Sequence, residues 1–214
     1  IIREKGTILG KIVVDSKIEF YDPNTENLVE KVSTKNITEE GEGKKTIVVI
    51  DCGAKRNIQR ALVQRGVKVI SVPWDFNPLE LDNFDGVVIS NGPGDPKFCT
   101  KTIENIQKLL EKKVPTLGIC LGHQLLALAA GGNTTKLKFG HRSQNQPCTM
   151  ADSKRCFITT QNHGFEVSKI PSGFNAWFTN ANDGSNEGIR HKTLPFMSVQ
   201  FHPEARPGPE DTEW

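Results

Sequence analysis

Apolar positions divide the chain into two regimes. From residue 46 to about residue 130, short apolar runs alternate with stretches whose apolar residues recur every three or four positions; beyond Gly131 and Gly132 the runs shorten and are separated by Asn, Gly and Pro. Residues 46–50 read as a strand buried on both faces. Residues 55–65 place Ile58, Ala61 and Leu62 on one helical face and run into Gly66, a helix stop. Residues 67–72 and 86–90 are further strands, and residues 102–112 form an amphipathic helix through Ile103, Ile106, Leu109 and Leu110. Pro115 then opens a strand over 116–119 that meets a helix-like run over 121–130. Strand-and-helix units in succession predict an α/β fold, a parallel or mixed sheet flanked by helices on both faces. In such sheets ligands gather at the carboxyl ends of strands. The second half predicts strands at 155–160, 174–178, 188–191 and 196–201, wrapping the sheet edge.

Residues 1–38 do not share this rhythm. They carry Ile8, Leu9, Ile12, Val13 and Val14, then the turn-rich Tyr21-Asp22-Pro23-Asn24. About 40 residues rarely bury a core of their own, so this stretch is expected to be the end of a preceding, β-rich domain. Residues 39–45, polar and glycine-containing, read as a linker, and 46–214 as the main domain. With no initial Met and an end at Glu213-Trp214, just after what reads as the acidic first turn of a helix at Pro209-Glu210-Asp211, the chain is expected to be a fragment truncated at its carboxyl end.

Charge and cysteine usage narrow the function. A formal charge of +2, with basic residues scattered among acids, leaves no electrostatic footprint for nucleic acid or an anionic membrane. No apolar run approaches the roughly 18–20 residues of a membrane-spanning helix. Five cysteines, at 52, 99, 120, 148 and 156, form an odd set without paired spacing, which points to a reducing compartment. Cys-x-x-Cys does not occur, and no metal site is expected.

The chemistry concentrates at a few places. Gly118-Ile119-Cys120-Leu121-Gly122 puts a cysteine at the corner between strand and helix, flanked by glycines that let the chain fold back without a Cβ clash. The helix start beneath it favours thiolate over thiol. Taken alone the motif is equally an ordinary tight turn around a small buried Cys. His202-Pro203-Glu204 shifts the balance, because it offers a base at a strand end with a carboxylate two positions on to orient it. His-x-Glu also occurs in zinc deaminases, but their Pro-Cys-x-x-Cys is missing here. Asn91-Gly92-Pro93-Gly94-Asp95-Pro96 is neither a dinucleotide fingerprint nor a phosphate loop. It is either a plain turn or a rigid one that aims N–H groups, with that of Leu121, at a developing oxyanion. His123 either contacts substrate or packs, His163 falls in a polar loop suited to an amide or amino acid, and His141 and His191 are assigned to structure or surface.

Together these residues resemble the class I (triad) glutamine amidotransferases, flavodoxin-like in fold, and most closely the glutaminase domain of carbamoyl phosphate synthetases. The carrying segments are the Asn91–Pro96 and Gly118–Gln124 motifs, Asn145-Gln146-Pro147, Gln161-Asn162-His163-Gly164-Phe165, Thr179–Asp183 with Asn186-Glu187-Gly188, and Gln200–Glu204. Gly6–Lys11 and Asp22–Lys35 also match the tail of that family's small-subunit amino-terminal domain, and Gly6–Lys11 with Pro207–Glu213 points to the fused eukaryotic forms. The resemblance implies that Cys120 attacks the side-chain amide of L-glutamine, with His202 shuttling protons and Glu204 orienting it. It places Gly92, Gly94, Leu121, Gln124, Asn162, Gly164 and Phe165 at the glutamine. It implies no cofactor in this domain, and a synthetase partner that receives ammonia and uses ATP, Mg and bicarbonate. The expected location is intracellular, in cytoplasm or mitochondrial matrix. Competing readings are a degenerate module that only docks or regulates, and another triad amidotransferase or Cys hydrolase.

Overall fold

The structure, a computed structural model, describes residues 1–205 and 212, apart from Lys154. The helix turn expected at Pro209–Asp211 and the Pro207–Glu213 segment lie outside the described residues.

Ten strands form one sheet in the order β1-β3-β2-β4-β5-β10-β9-β8-β6-β7. They are β1 (Thr38–Glu40), β2 (Lys45–Asp51), β3 (Val67–Pro73), β4 (Gly86–Ile89), β5 (Thr116–Ile119), β6 (Asn133–Met150), β7 (Cys156–Lys169), β8 (Phe174–Asn180), β9 (Asn186–His191) and β10 (Phe196–Val199). The five central strands, β3, β2, β4, β5 and β10, are parallel to one another, and every other pairing is antiparallel.

Alternation along β2 divides the core between two faces. Val48 and Ile50 pack with Ile106 and Leu109 of helix α4 (Thr100–Glu111) and Leu125 and Leu126 of α5 (Leu121–Ala129), whereas Val49 packs with Ile58 of α3 (Arg56–Gln64). Gly66, at φ 72°, ends the α3 turn as expected. β3 passes to β4 through a single 3₁₀ turn at Pro78–Glu80.

Three expectations need correction. The second half does not wrap the sheet edge; β10 sits beside β5 inside the sheet, and β9, β8, β6 and β7 extend it. The stretch expected to be a β-rich domain end holds two short helices, α1 (Ile2–Lys5) and α2 (Leu28–Val32), and no strand among residues 1–37. Ile12 and Val14 there are 85% and 82% exposed, and an apolar run becomes a strand only where a neighbouring edge supplies ladder partners. Glu39 and Glu40, expected in a linker, pair antiparallel with Ile70 and Val69 at the sheet edge.

Candidate active site

Cys120 stands where β5 turns into α5, at φ 55° and ψ −102°, a backbone that costs a non-glycine residue about 1–3 kcal/mol. Glycines make the turn possible. A Cβ on Gly118 would lie 2.4 Å from the Gly122 carbonyl oxygen, one on Gly122 2.1 Å from that of Ile89, and one on Gly92 2.2 Å from that of Cys52. The Cys120 N–H donates to Val199 O at 2.9 Å and ties the turn to β10.

Gly92 and Gly94 follow β4. Asn91 braces their loop: its Oδ1 accepts from the Lys55 N–H at 2.9 Å and its Nδ2 donates to Gly53 O at 3.3 Å. His202 and Glu204 follow β10, and the His202 N–H donates to Thr160 O at 2.9 Å. His202 Nδ1 meets Glu204 Oε1 at 2.8 Å, with both side chains buried. Burial alone would push this imidazole down, but the Cys120 side chain and the Glu204 carboxylate hold it up at about 9. Asn57 of α3 donates through Nδ2 to Glu204 O.

β7 supplies the opposite wall with Asn162, Gly164 and Phe165. Gln124 reaches across to it: its Nε2 donates to Phe165 O at 2.9 Å and Gln200 Oε1 at 3.0 Å, which leaves its own oxygen as an acceptor. Gly92, Gly94, Cys120, Leu121, Gln124, Asn162, Gly164, Phe165 and His202 all line one cavity of about 920 Å³. Glu204, off the cavity lining, supports His202. Sequence reasoning missed Lys55, Leu28, Lys136, Arg142 and the Thr7–Gly10 stretch, which line the same cavity. Thr7–Gly10 and Leu28 fall in segments matched to the family but given no site role, and Arg142 arrives opposite Asn162 only through the β6–β7 register.

The remaining histidines separate cleanly. His123 is fully buried, with Nδ1 on Ser198 Oγ at 2.8 Å, and burial pushes it down to about 3; it packs and does not line the cavity. His163 lies within β7 and not in a loop, with Nδ1 facing Phe165 O at 2.8 Å and Nε2 facing Gln161 Oε1 at 3.0 Å. Burial, more than the Phe165 carbonyl offsets, takes it down to about 3. His191 accepts from the N–H groups of Thr193 and Leu194 and packs on Phe174 and Phe196. His141 lies between Asp183, 2.8 Å from its Nε2, and Glu187, 3.2 Å from its Nδ1. Polar atoms of His141, His163 and Glu187 fall within 4.8 Å of one another, yet the ring nitrogens already face oxygen acceptors, so the trio is wired for protons.

A family model described as glutamine amidotransferase class-I matches residues 48–214. The multifunctional protein pyr1-3 of Dictyostelium discoideum is 49% identical over 237 residues, covering 100% of this chain and 11% of that protein. The carbamoyl phosphate synthase arginine-specific small chain of Neurospora crassa is 47% identical over 226 residues, 100% of this chain and 50% of that one. The chain thus spans half or less of the length of these relatives. Among solved structures, a glutamine amidotransferase of Thermotoga maritima shares the fold at a TM-score of 0.61 and 19% identity, over 75% of this chain and 76% of that one. Among the described residues no helix is long and apolar enough to cross a membrane.

Proposed function

The chain belongs to the class I glutamine amidotransferases, and from that premise we propose that it hydrolyses L-glutamine and delivers the ammonia to a carbamoyl phosphate synthetase. The observation that carries this reading is the buried His202–Glu204 pair, joined at 2.8 Å, whose imidazole lines one cavity with a cysteine on a strained strand-to-helix turn.

The steps follow from that geometry. Cys120 Sγ attacks the side-chain carbonyl carbon of glutamine, and the oxyanion meets the N–H of Leu121 and those of the Gly92–Gly94 loop. His202 gives its proton to the leaving nitrogen, the C–N bond breaks, and ammonia departs from a glutamyl thioester. A water then loses a proton to His202 as its oxygen attacks the thioester carbon. The C–S bond breaks, glutamate leaves, and the sulfur and imidazolium return to their starting state. Glu204 holds the imidazole in one orientation and stabilises its charged form. Gln124, with both amide protons committed to Phe165 and Gln200, offers its oxygen to the substrate's α-ammonium. Asn162, Gly164 and Phe165 wall the substrate in.

Ammonia in water is mostly ammonium, which is no nucleophile, so the product has to pass to a second active site without equilibrating. The name of one relative, a carbamoyl phosphate synthase small chain, supports a synthetase as that second site, and we read the synthetase as one that uses ATP, Mg and bicarbonate, in the same polypeptide or a separate subunit. We read residues 1–38 as the end of the small subunit's amino-terminal domain, since Thr7–Gly10 and Tyr21–Asn24 line the cavity mouth. Five free cysteines fit an intracellular site of action.

The test is Cys120→Ser in the full-length protein. Glutamine-dependent carbamoyl phosphate formation is expected to fall by at least 10³-fold, while synthesis from added ammonia persists. Unchanged glutamine-dependent synthesis would leave the domain a docking or regulatory module.

A further inference from the structure

Resting on the functional reading above, we propose that His141, through its ion pairs with Asp183 and Glu187 and its edge contact with His163, is a positioning residue for glutamine: it holds the Asn162–Gly164 wall of the pocket in register.

The β6–β7 hairpin explains why this wall needs holding. His141, Arg142 and Ser143 pair with His163, Asn162 and Gln161, but the register shifts on both sides, between Lys136 and His141 and again between Ser143 and Gln146. Three strand pairs between two irregularities leave the segment free to slip unless side chains pin it. His141 is the side chain placed to do so. Its ring meets that of its cross-strand partner His163 edge-on, with centroids 4.9 Å apart at 86°. Its two nitrogens reach Asp183 at 2.8 Å and Glu187 at 3.2 Å, on a different part of the sheet. Glu187 is fully buried and is held also by Asn180 Nδ2 at 3.3 Å. The hairpin wall is thus bolted to β9 and to the turn before it.

Charge makes the bolt proton-dependent. The groups facing His141 are Asp183, Glu187, His163 and the half-buried Glu166; three of these four are acids. The Glu187 carboxylate, at ion-pair distance 3.2 Å, outweighs burial and holds His141 up at about 9, whereas burial pushes the Glu187 carboxyl up, so this acid is costly to ionise without its cation. Burial keeps His163 neutral, and the charges of His141, His202 and Arg142 act in the same direction. A neutral ring donates only once, although both His163 nitrogens face acceptors. The edge contact with His141 therefore bears on a ring whose single proton must serve either Phe165 or Gln161 next to the substrate wall.

The experiment is His141→Gln in the full-length protein, with steady-state glutamine kinetics from pH 7 to 10. We expect KM to rise about tenfold at pH 7.5, the size of one charge-assisted hydrogen bond, with kcat within twofold. The ratio of variant to wild-type KM should then fall toward one as pH passes about 9, where wild-type His141 loses its proton; the substrate's own amine cancels in that ratio. Asp183→Asn, at a half-exposed carboxylate, is expected to raise KM about threefold and keeps the proposal testable if His141→Gln fails to fold. An unchanged KM in the folded variant, a KM ratio flat with pH, or a loss confined to kcat overturns the proposal. A wild-type protein that consumes no glutamine removes the functional reading itself, and this proposal with it.

Discussion

Gly122→Ala tests the nucleophile turn most directly, because the obstacle is backbone and cannot rotate away. The added Cβ would lie 2.1 Å from Ile89 O and 2.8 Å from Ile89 C, where real Cβ contacts stay beyond 3.0 Å. The start of α5 and the end of β4 must therefore part by about 0.9 Å. That displacement separates Cys120 and Leu121, on one side of the contact, from the Gly92–Gly94 loop that leaves β4 on the other. A reacting group misplaced by about 1 Å costs on the order of 100-fold in rate. Overpacking of this kind destabilises by about 1–3 kcal/mol, or roughly 2–4 °C in Tm per kcal/mol for a domain of this size. Gly118→Ala should be impaired as well, since its Cβ would meet backbone of the same turn at Gly122 O, 2.4 Å, Gly122 C, 2.6 Å, and His123 N, 2.9 Å. The assay is glutamine hydrolysis by the full-length protein beside its thermal unfolding. A Gly122→Ala protein within threefold of wild-type kcat would refute the reasoning.

Two further expectations concern charge. Glu204→Gln keeps the shape but removes the carboxylate that helps hold His202 up at about 9, so the imidazole's NMR titration midpoint should move down toward the ordinary value of about 6.5. Because the folded value lies above the unfolded one, this stabilisation is complete below about pH 6.5 and is lost as pH rises through about 9; the gap in unfolding free energy between wild type and Glu204→Gln, about 1–3 kcal/mol at pH 6, should therefore narrow by pH 10, and a widening gap would count against the assignment. Burial pushes the Cys52 thiol far up and those of Cys99 and Cys148 to about 12, so iodoacetamide at pH 8 should label the exposed Cys156 and the cavity-lining Cys120 alone. Mass spectrometry after a short exposure checks this, and early alkylation of Cys52 contradicts it.

The parallel half of the fold was legible because its signals are local. β2 observed at Lys45–Asp51 against 46–50 expected, and α4 at Thr100–Glu111 against 102–112, differ by only one or two residues. Strand runs buried on both faces and amphipathic helices need no partner to be recognised. β6 was invisible: Asn133–Met150 is polar along much of its length, carries Gly140 and Pro147, and breaks register with β7, so no clean alternation survives. The carboxyl half of β7 read as a loop because Gln161, Asn162 and His163 are polar. They are polar for a reason that lies in the site, where each faces the cavity or a buried hydrogen-bond partner. Cys120 and His202 were singled out from motifs, whereas Arg142 and the Thr7–Gly10 stretch reach the cavity through contacts such as the Thr7 N–H on Lys138 O.

Strand order explains how distant motifs become one site. β4, β5 and β10 are consecutive in the sheet and parallel, so their carboxyl ends fall on one edge at intervals of roughly 5 Å. The residues that follow them are Gly92 and Gly94, then Cys120, then His202 and Glu204. Ile119 lies opposite Val199, and the Cys120 N–H completes the ladder on the Val199 carbonyl. The distance between nucleophile and base is thus fixed by a β-ladder, the least compliant ruler a backbone offers. A β10 shifted by one residue would turn His202 to the other face of the sheet. Placing His202 after the last strand among the described residues, which yet inserts at the middle of the sheet, makes the proposed catalytic pair conditional on completed folding: a sub-fragment ending before β10 lacks the residue that faces Cys120.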